Sequence, residues 1–289
     1  MTYLMRIIGK VLGFSTLCVL MVLSACTRRE KHTIETCVQD TLSVDTFSVD
    51  SVIVFEDEEE DYRHDSLYVE NFDDFLYSFG HDDRFRSRRT SFPFVYIDNM
   101  GDTTTTSRSE WKDDLSFLQQ DFYTVLYNNA LQIESSKELS SDTVVVERID
   151  LDSLQLSSYH FARRKGTWRL FKRQDFYVQG SELSDFLVFY RQFSRDSIFQ
   201  QASISQPLHF SMEDPEGGMD AIEGTIDATQ WFSFCSDVPT GIISNIRYGQ
   251  VYNQPHSMVM QKCAAGSGFM EIFSFDKSAG NWRLVSYEN

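Results

Sequence analysis

Cysteine is rare in this chain: five among 289 residues, at positions 18, 26, 37, 235 and 263, without regular spacing. That excludes both a disulfide-dense scaffold and a zinc ribbon. Basic side chains are also scarce. Lys and Arg number 26 against 43 Asp and Glu, a net charge of −17, which argues against nucleic acid or an anionic membrane surface as primary partner. The six histidines (His32, His64, His81, His160, His209, His256) form no i, i+4 pair and no His-Glu-x-x-His. There is no Gly-x-Ser-x-Gly elbow and no phosphate-cradling glycine loop. The residues therefore ask for no metal, nucleotide or other cofactor. What is plentiful is aromatic apolar mass: 24 phenylalanines and 42% hydrophobic residues, enough for a packed core and too much for wholesale disorder.

The longest apolar stretch near the start, Val11 to Leu23, follows Arg6 and Lys10. It falls short of the roughly 20 residues that a membrane span needs. It ends in Leu23-Ser24-Ala25-Cys26, which resembles a bacterial lipobox: an aliphatic residue, two small residues and the cysteine. The resemblance implies that residues 1–25 are a removable signal peptide and that Cys26 carries the lipid, an effectively permanent anchor to the membrane. Thr27 after the cysteine, in place of Asp, implies an outer-membrane lipoprotein of the cell envelope, on either its periplasmic or its surface face.

Residues 26–65 read as a tether. They hold no Gly or Pro, repeat Thr41-Leu42-Ser43-Val44-Asp45 as Thr46-Phe47-Ser48-Val49-Asp50, and carry the acidic run Glu56 to Asp61. Like charges packed this densely repel one another and hold a chain open, so a flexible acidic spacer is expected.

The rest is written twice. Phe72, Phe75, Leu76 and Phe79 follow helical spacing, as do Leu183, Phe186, Leu187 and Tyr190 further on. At a spacing of 114, Asp82, Phe85, Ser91 and Pro93 match Asp196, Phe199, Ser205 and Pro207; Phe161, Gly166 and Trp168-Arg169-Leu170 match Phe275, Gly280 and Trp282-Arg283-Leu284. Ser109-Glu110-Trp111 pairs with Thr229-Gln230-Trp231, each expected to open a short capped helix. Two units follow, 66–175 and 176–289. In each, helices come first and a run of antiparallel strands closes the unit, so the fold class is α+β with helices packed on one face of a curved sheet.

This order, ending in Gly-x-Trp-Arg-Leu, resembles the nuclear-transport-factor-2-like (cystatin-like) cone. With the lipobox and acidic tether it resembles Bacteroidetes envelope lipoproteins of unknown function. The resemblance implies two tandem cone-like units and an envelope location, and it implies no activity.

Enzymes on that cone place polar side chains inside the open end of the sheet. The strand residues in a position to do so are Tyr96, Asp98, Glu147 and His160 in the first unit and His209 and Glu271 in the second. A carboxylate in an apolar cone can act as a general base. Arg84, Arg86, Arg88 and Arg89 cluster after the first helix and form a candidate anion patch. Cys235 and Cys263, on a helix and a strand expected to pack together, are a candidate disulfide in an oxidising compartment. The matched tryptophans read as core. The leading expectation is a non-enzymatic binding or scaffold module for an envelope protein, a glycan or a small apolar ligand. The alternative is an enzyme acting on a small hydrophobic substrate in one cone.

Overall fold

A computed structural model describes residues 69–289 apart from 113, 134–140, 213–220, 236, 254–255 and 266–267. The expected signal peptide (1–25), the expected lipid-bearing Cys26 and the expected acidic tether (26–65) lie outside the described residues.

The first helix, α1 (Phe72–His81), starts where the Asn71 side chain accepts from the amides of Asp73 (2.8 Å) and Asp74 (3.2 Å). Asp82 then ends α1 through its own amide and opens α2 (Asp83–Arg88) with its carboxylate. The Phe85 and Arg84 amides it accepts hold that carboxyl below its usual range. The same device recurs: α3 (Ser184–Phe193) is followed by α4 (Ser197–Ala202), whose cap Asp196 accepts from Ile198 and Phe199, both at 3.0 Å.

Six strands follow each helix pair. They are β1 (Thr90–Ile97), β2 (Thr103–Thr106), β3 (Phe122–Tyr127), β4 (Thr143–Asp150), β5 (Gln155–Arg164) and β6 (Thr167–Tyr177), then β7 (Ile204–Met212), β8 (Ile222–Ile226), β9 (Ile242–Arg247), β10 (Ser257–Ala264), β11 (Met270–Ser278) and β12 (Asn281–Glu288). Trp231 opens a short helix, α5 (Trp231–Phe234), but without the expected side-chain cap, because the Thr229 hydroxyl donates to Asp227 instead. Trp111 instead sits at the end of a turn, its amide bonded to the Ser107 carbonyl. Lys112, Asp113 and Asp114 follow it and give a helix there no apolar face, and the helical turn forms later, at Ser116–Gln119 around the buried Phe117.

The sheet departs from the sequence reading. Rather than one sheet per unit there is one of twelve strands, ordered β2-β1-β6-β5-β4-β9-β3-β10-β11-β12-β7-β8. The two innermost strands are exchanged: β9 lies antiparallel beside β4, and β3 lies antiparallel beside β10. Each six-stranded half therefore contains five strands from one half of the chain and one from the other. Between β3 and β9, among the described residues, Thr124 pairs with Asn245 alone, and the Asn245 carboxamide oxygen accepts from the Leu126 amide at 3.1 Å.

Neighbouring side chains on a strand point to opposite faces, and the central strands bury both. On β3, Val125 and Tyr127 join the core under α1 while Leu126 joins the core under α3; on β10, Val259 goes to the first and Met258 and Met260 to the second. Under α1, Phe72, Phe75 and Phe79 pack edge-on against Phe161 at 5.4–5.7 Å. Under α3, Phe186, Tyr190 and Phe193 do the same against Phe275 at 5.3–5.9 Å. Trp168, Trp231 and Trp282 are buried, in agreement with their reading as core.

Candidate functional site

The two halves differ most at one hairpin tip. Leu151 and Leu154, in the β4–β5 turn, are buried in the core under α3. At the spacing of 114 that relates the halves, Leu151 corresponds to Ala265 and Leu154 to Gly268 in the β10–β11 turn. The matched residues Leu154 and Gly268 both have positive φ (52° and 73°). The Leu151 amide bonds the Gly241 carbonyl and the Ala265 amide bonds the Asp121 carbonyl, both at 2.9 Å. Two leucine side chains are thus replaced by a methyl group and a hydrogen atom, and a Cβ placed on Gly268 meets nothing within 4 Å.

A cleft of about 660 Å³ lies where the leucines are missing. Its floor is apolar: Leu76, Phe117, Leu118, Val146 and Ile246. Phe122, Tyr123 and Phe269 form its walls, and Asp73, Asp74, Tyr77 and His81 present the exposed side of α1. That volume falls in the ordinary range for a small-molecule site.

Of its polar groups, Asp73 accepts through Oδ1 from the hydroxyl of Tyr248, which lies outside the lining, at 2.7 Å, and Tyr123 and Cys263 line the cleft together. Burial pushes both phenols up, and it pushes the Cys263 thiol up to about 11. The raised values favour the protonated form of all three at neutral pH. Among the described residues no three His, Cys, Asp or Glu side chains converge as a metal centre requires.

Of the residues singled out from the sequence only Cys263 lines this cleft, and the structure does not gather the others into one site. Tyr96 donates to Asp175 Oδ2 at 3.0 Å, and Arg173 lies over its ring. Asp98 accepts from the Met100 and Asp102 amides and shapes the β1–β2 turn. His160 is largely buried with no partner at Nε2, and desolvation, with Lys172 and Arg247 nearby, pushes it down to about 3. Glu147 is buried in an ion pair with Arg247. His209 is exposed on β7, in a shallow depression with Glu223 and Glu288. Glu271 is buried and satisfied, accepting from Tyr287 and Lys262, both at 2.7 Å.

The arginine cluster divides in the same way. Arg86 binds the Phe79 and Gly80 carbonyls at the end of α1, and Arg89 binds both carboxylate oxygens of Glu70; only Arg84 and Arg88 are exposed. Cys235 and Cys263 are separate free thiols. Lys262 reaches the Asp237 carbonyl that Cys235 also contacts, so Cys263, the next residue on the strand, points to the opposite face. The expected disulfide is corrected on that ground.

Helices laid across a large curved sheet, with a cleft between helix and sheet, define an NTF2-like fold. The chain is similar to an NTF2-like protein from Bacteroides fragilis NCTC 9343 of known crystal structure, with 33% identity and a TM-score of 0.70 over 75% of this chain and 95% of that one. It belongs to the family described as "Domain of unknown function (DUF4348)", whose model matches residues 54–289. No curated protein matches the chain. The NTF2-like character that the sequence resembles is thus found, in one sheet of twelve strands rather than in one sheet per unit.

Proposed function

We propose that this protein is a lipid-anchored cell-envelope binding module that takes a small apolar ligand in the cleft beneath α1. The observation that carries this reading is the exchange of Leu151 and Leu154 for Ala265 and Gly268. One half uses leucines to complete its core, and the other leaves that volume open and lines it with side chains suited to a ligand. An apolar floor with a few polar groups on one side is the usual make-up of a small-molecule site.

In this reading Cys26 carries the lipid, residues 26–65 lift the domain off an outer membrane, and 66–175 and 176–289 are tandem units with exchanged inner strands. The test is native mass spectrometry of the full chain released gently from its own envelope, beside Ala265→Leu. A small mass retained by the natural chain and missing from Ala265→Leu supports the reading. A bare protein in both cases, with no added apolar probe bound, counts against it.

A further inference from the structure

Resting on that cleft as a ligand site, the distribution of charge around it identifies the ligand class. Among the described residues that line the cleft there is no Lys and no Arg, whereas Asp73 and Asp74 both do so. Neither carboxylate is in an ion pair among the described residues. Asp73 uses Oδ1 to accept from Tyr248, which leaves Oδ2 for a further donor.

The start of α1 is closed to anions. The amides of Asp73 and Asp74, which would otherwise bind one, both donate to the Asn71 side chain. Two carboxylates in the first turn of the helix add repulsion. Aromatic side chains line the same cleft, and one of them, Phe122, already has the Lys262 ammonium over its ring at 5.4 Å, the kind of contact by which aromatic rings attract cations.

We propose that the ligand is a cationic amphiphile: an apolar body on the Leu76–Phe117–Ile246 floor and an ammonium group held by Asp73 and Asp74. The acids also stabilise the helix terminus, which explains their presence on α1. It does not explain a cleft wall without a single Lys or Arg.

The experiment is calorimetry on the chain from Thr27 onward with three matched probes, octylamine, octanol and octanoate, at neutral pH. Octylammonium is expected to bind about tenfold or more tightly than octanol, and octanoate more weakly than octanol. Asp73→Asn combined with Asp74→Asn is expected to bring the amine down to the level of the alcohol and leave octanol unchanged. Octanol or octanoate binding as tightly as the amine overturns the ligand class and leaves the cleft in place. Amine binding that persists in Ala265→Leu is attraction to the acidic surface and also overturns it. Failure of all three probes on the natural chain removes the cleft reading itself, and the ligand class with it.

Discussion

Glu147 Oε1 and Arg247 Nη1 lie 3.1 Å apart on β4 and β9, neighbouring strands from opposite halves of the chain. Glu147 is only 2% exposed, and Asn245 Nδ2 donates to its other oxygen at 2.8 Å. The pair sits where the inner strands are exchanged. Arg247→Met leaves a buried carboxylate without its counter-charge, a loss of about 3–5 kcal/mol at pH 7. Burial already raises the Glu147 pKa, and without Arg247 it rises further. The folded variant then holds a proton that the unfolded chain has released, so its stability falls as pH rises through that range and recovers on acidification. Urea unfolding of both proteins at pH 5 and pH 7 checks this; an equal deficit at the two pH values contradicts it.

His160 predicts the opposite sign. Its imidazole is depressed to about 3 in the folded protein against about 6.5 in an unfolded chain. Between those values the unfolded chain binds more protons, so acidification destabilises by on the order of 1.4 kcal/mol per pH unit. His160→Phe removes that slope. Urea midpoints between pH 4.5 and 7.5 measure it, and parallel curves for the two proteins refute the assignment.

Leu151→Ala recreates in the second half what Ala265 does in the first. Leu151 is fully buried, so truncation costs about 2–5 kcal/mol. Ala265→Leu adds its side chain to space already open and changes stability by less than about 1 kcal/mol. Thermal melts of the two variants should differ accordingly.

Residues 66–175 expressed alone lack β9, and their β3 lacks β10. That fragment is expected to show no cooperative unfolding, whereas residues 66–289 unfold in a single transition. A monomeric fragment with a sharp transition of its own would mean that β3 closes its own half.

Cys26→Ser is expected to abolish labelling by radioactive palmitate and to shift the protein from the membrane to the soluble fraction. Labelling that survives the substitution places any lipid elsewhere.

Much of the fold was legible because burial writes a period into the sequence. Phe72, Phe75 and Phe79 specify α1, and the matched Gly-x-Trp-Arg-Leu segments mark the closing strands. The exchange of β3 and β9 was not legible. Val125-Leu126-Tyr127 and Ile242-Ile243 show that a strand is buried on both faces, but not which strand lies beside it. Alternation also identified Tyr96, His160 and Glu271 as strand residues, yet it cannot say whether a face meets a cavity, a core or solvent. The cleft did leave a signal. Leu151 and Leu154 against Ala265 and Gly268, at the repeat spacing, is a loss of volume that invites the question of what fills it. A glycine-containing hairpin turn accounts for the backbone there and leaves that volume unexplained.

The most direct test is fluorescence titration of the neutral apolar probe N-phenyl-1-naphthylamine against the natural chain and Ala265→Leu. Saturable binding at one site by the natural chain, lost in Ala265→Leu while the melting temperature is held, is the predicted result. Equal binding by the two proteins would show that the space left by Ala265 and Gly268 is not the ligand site.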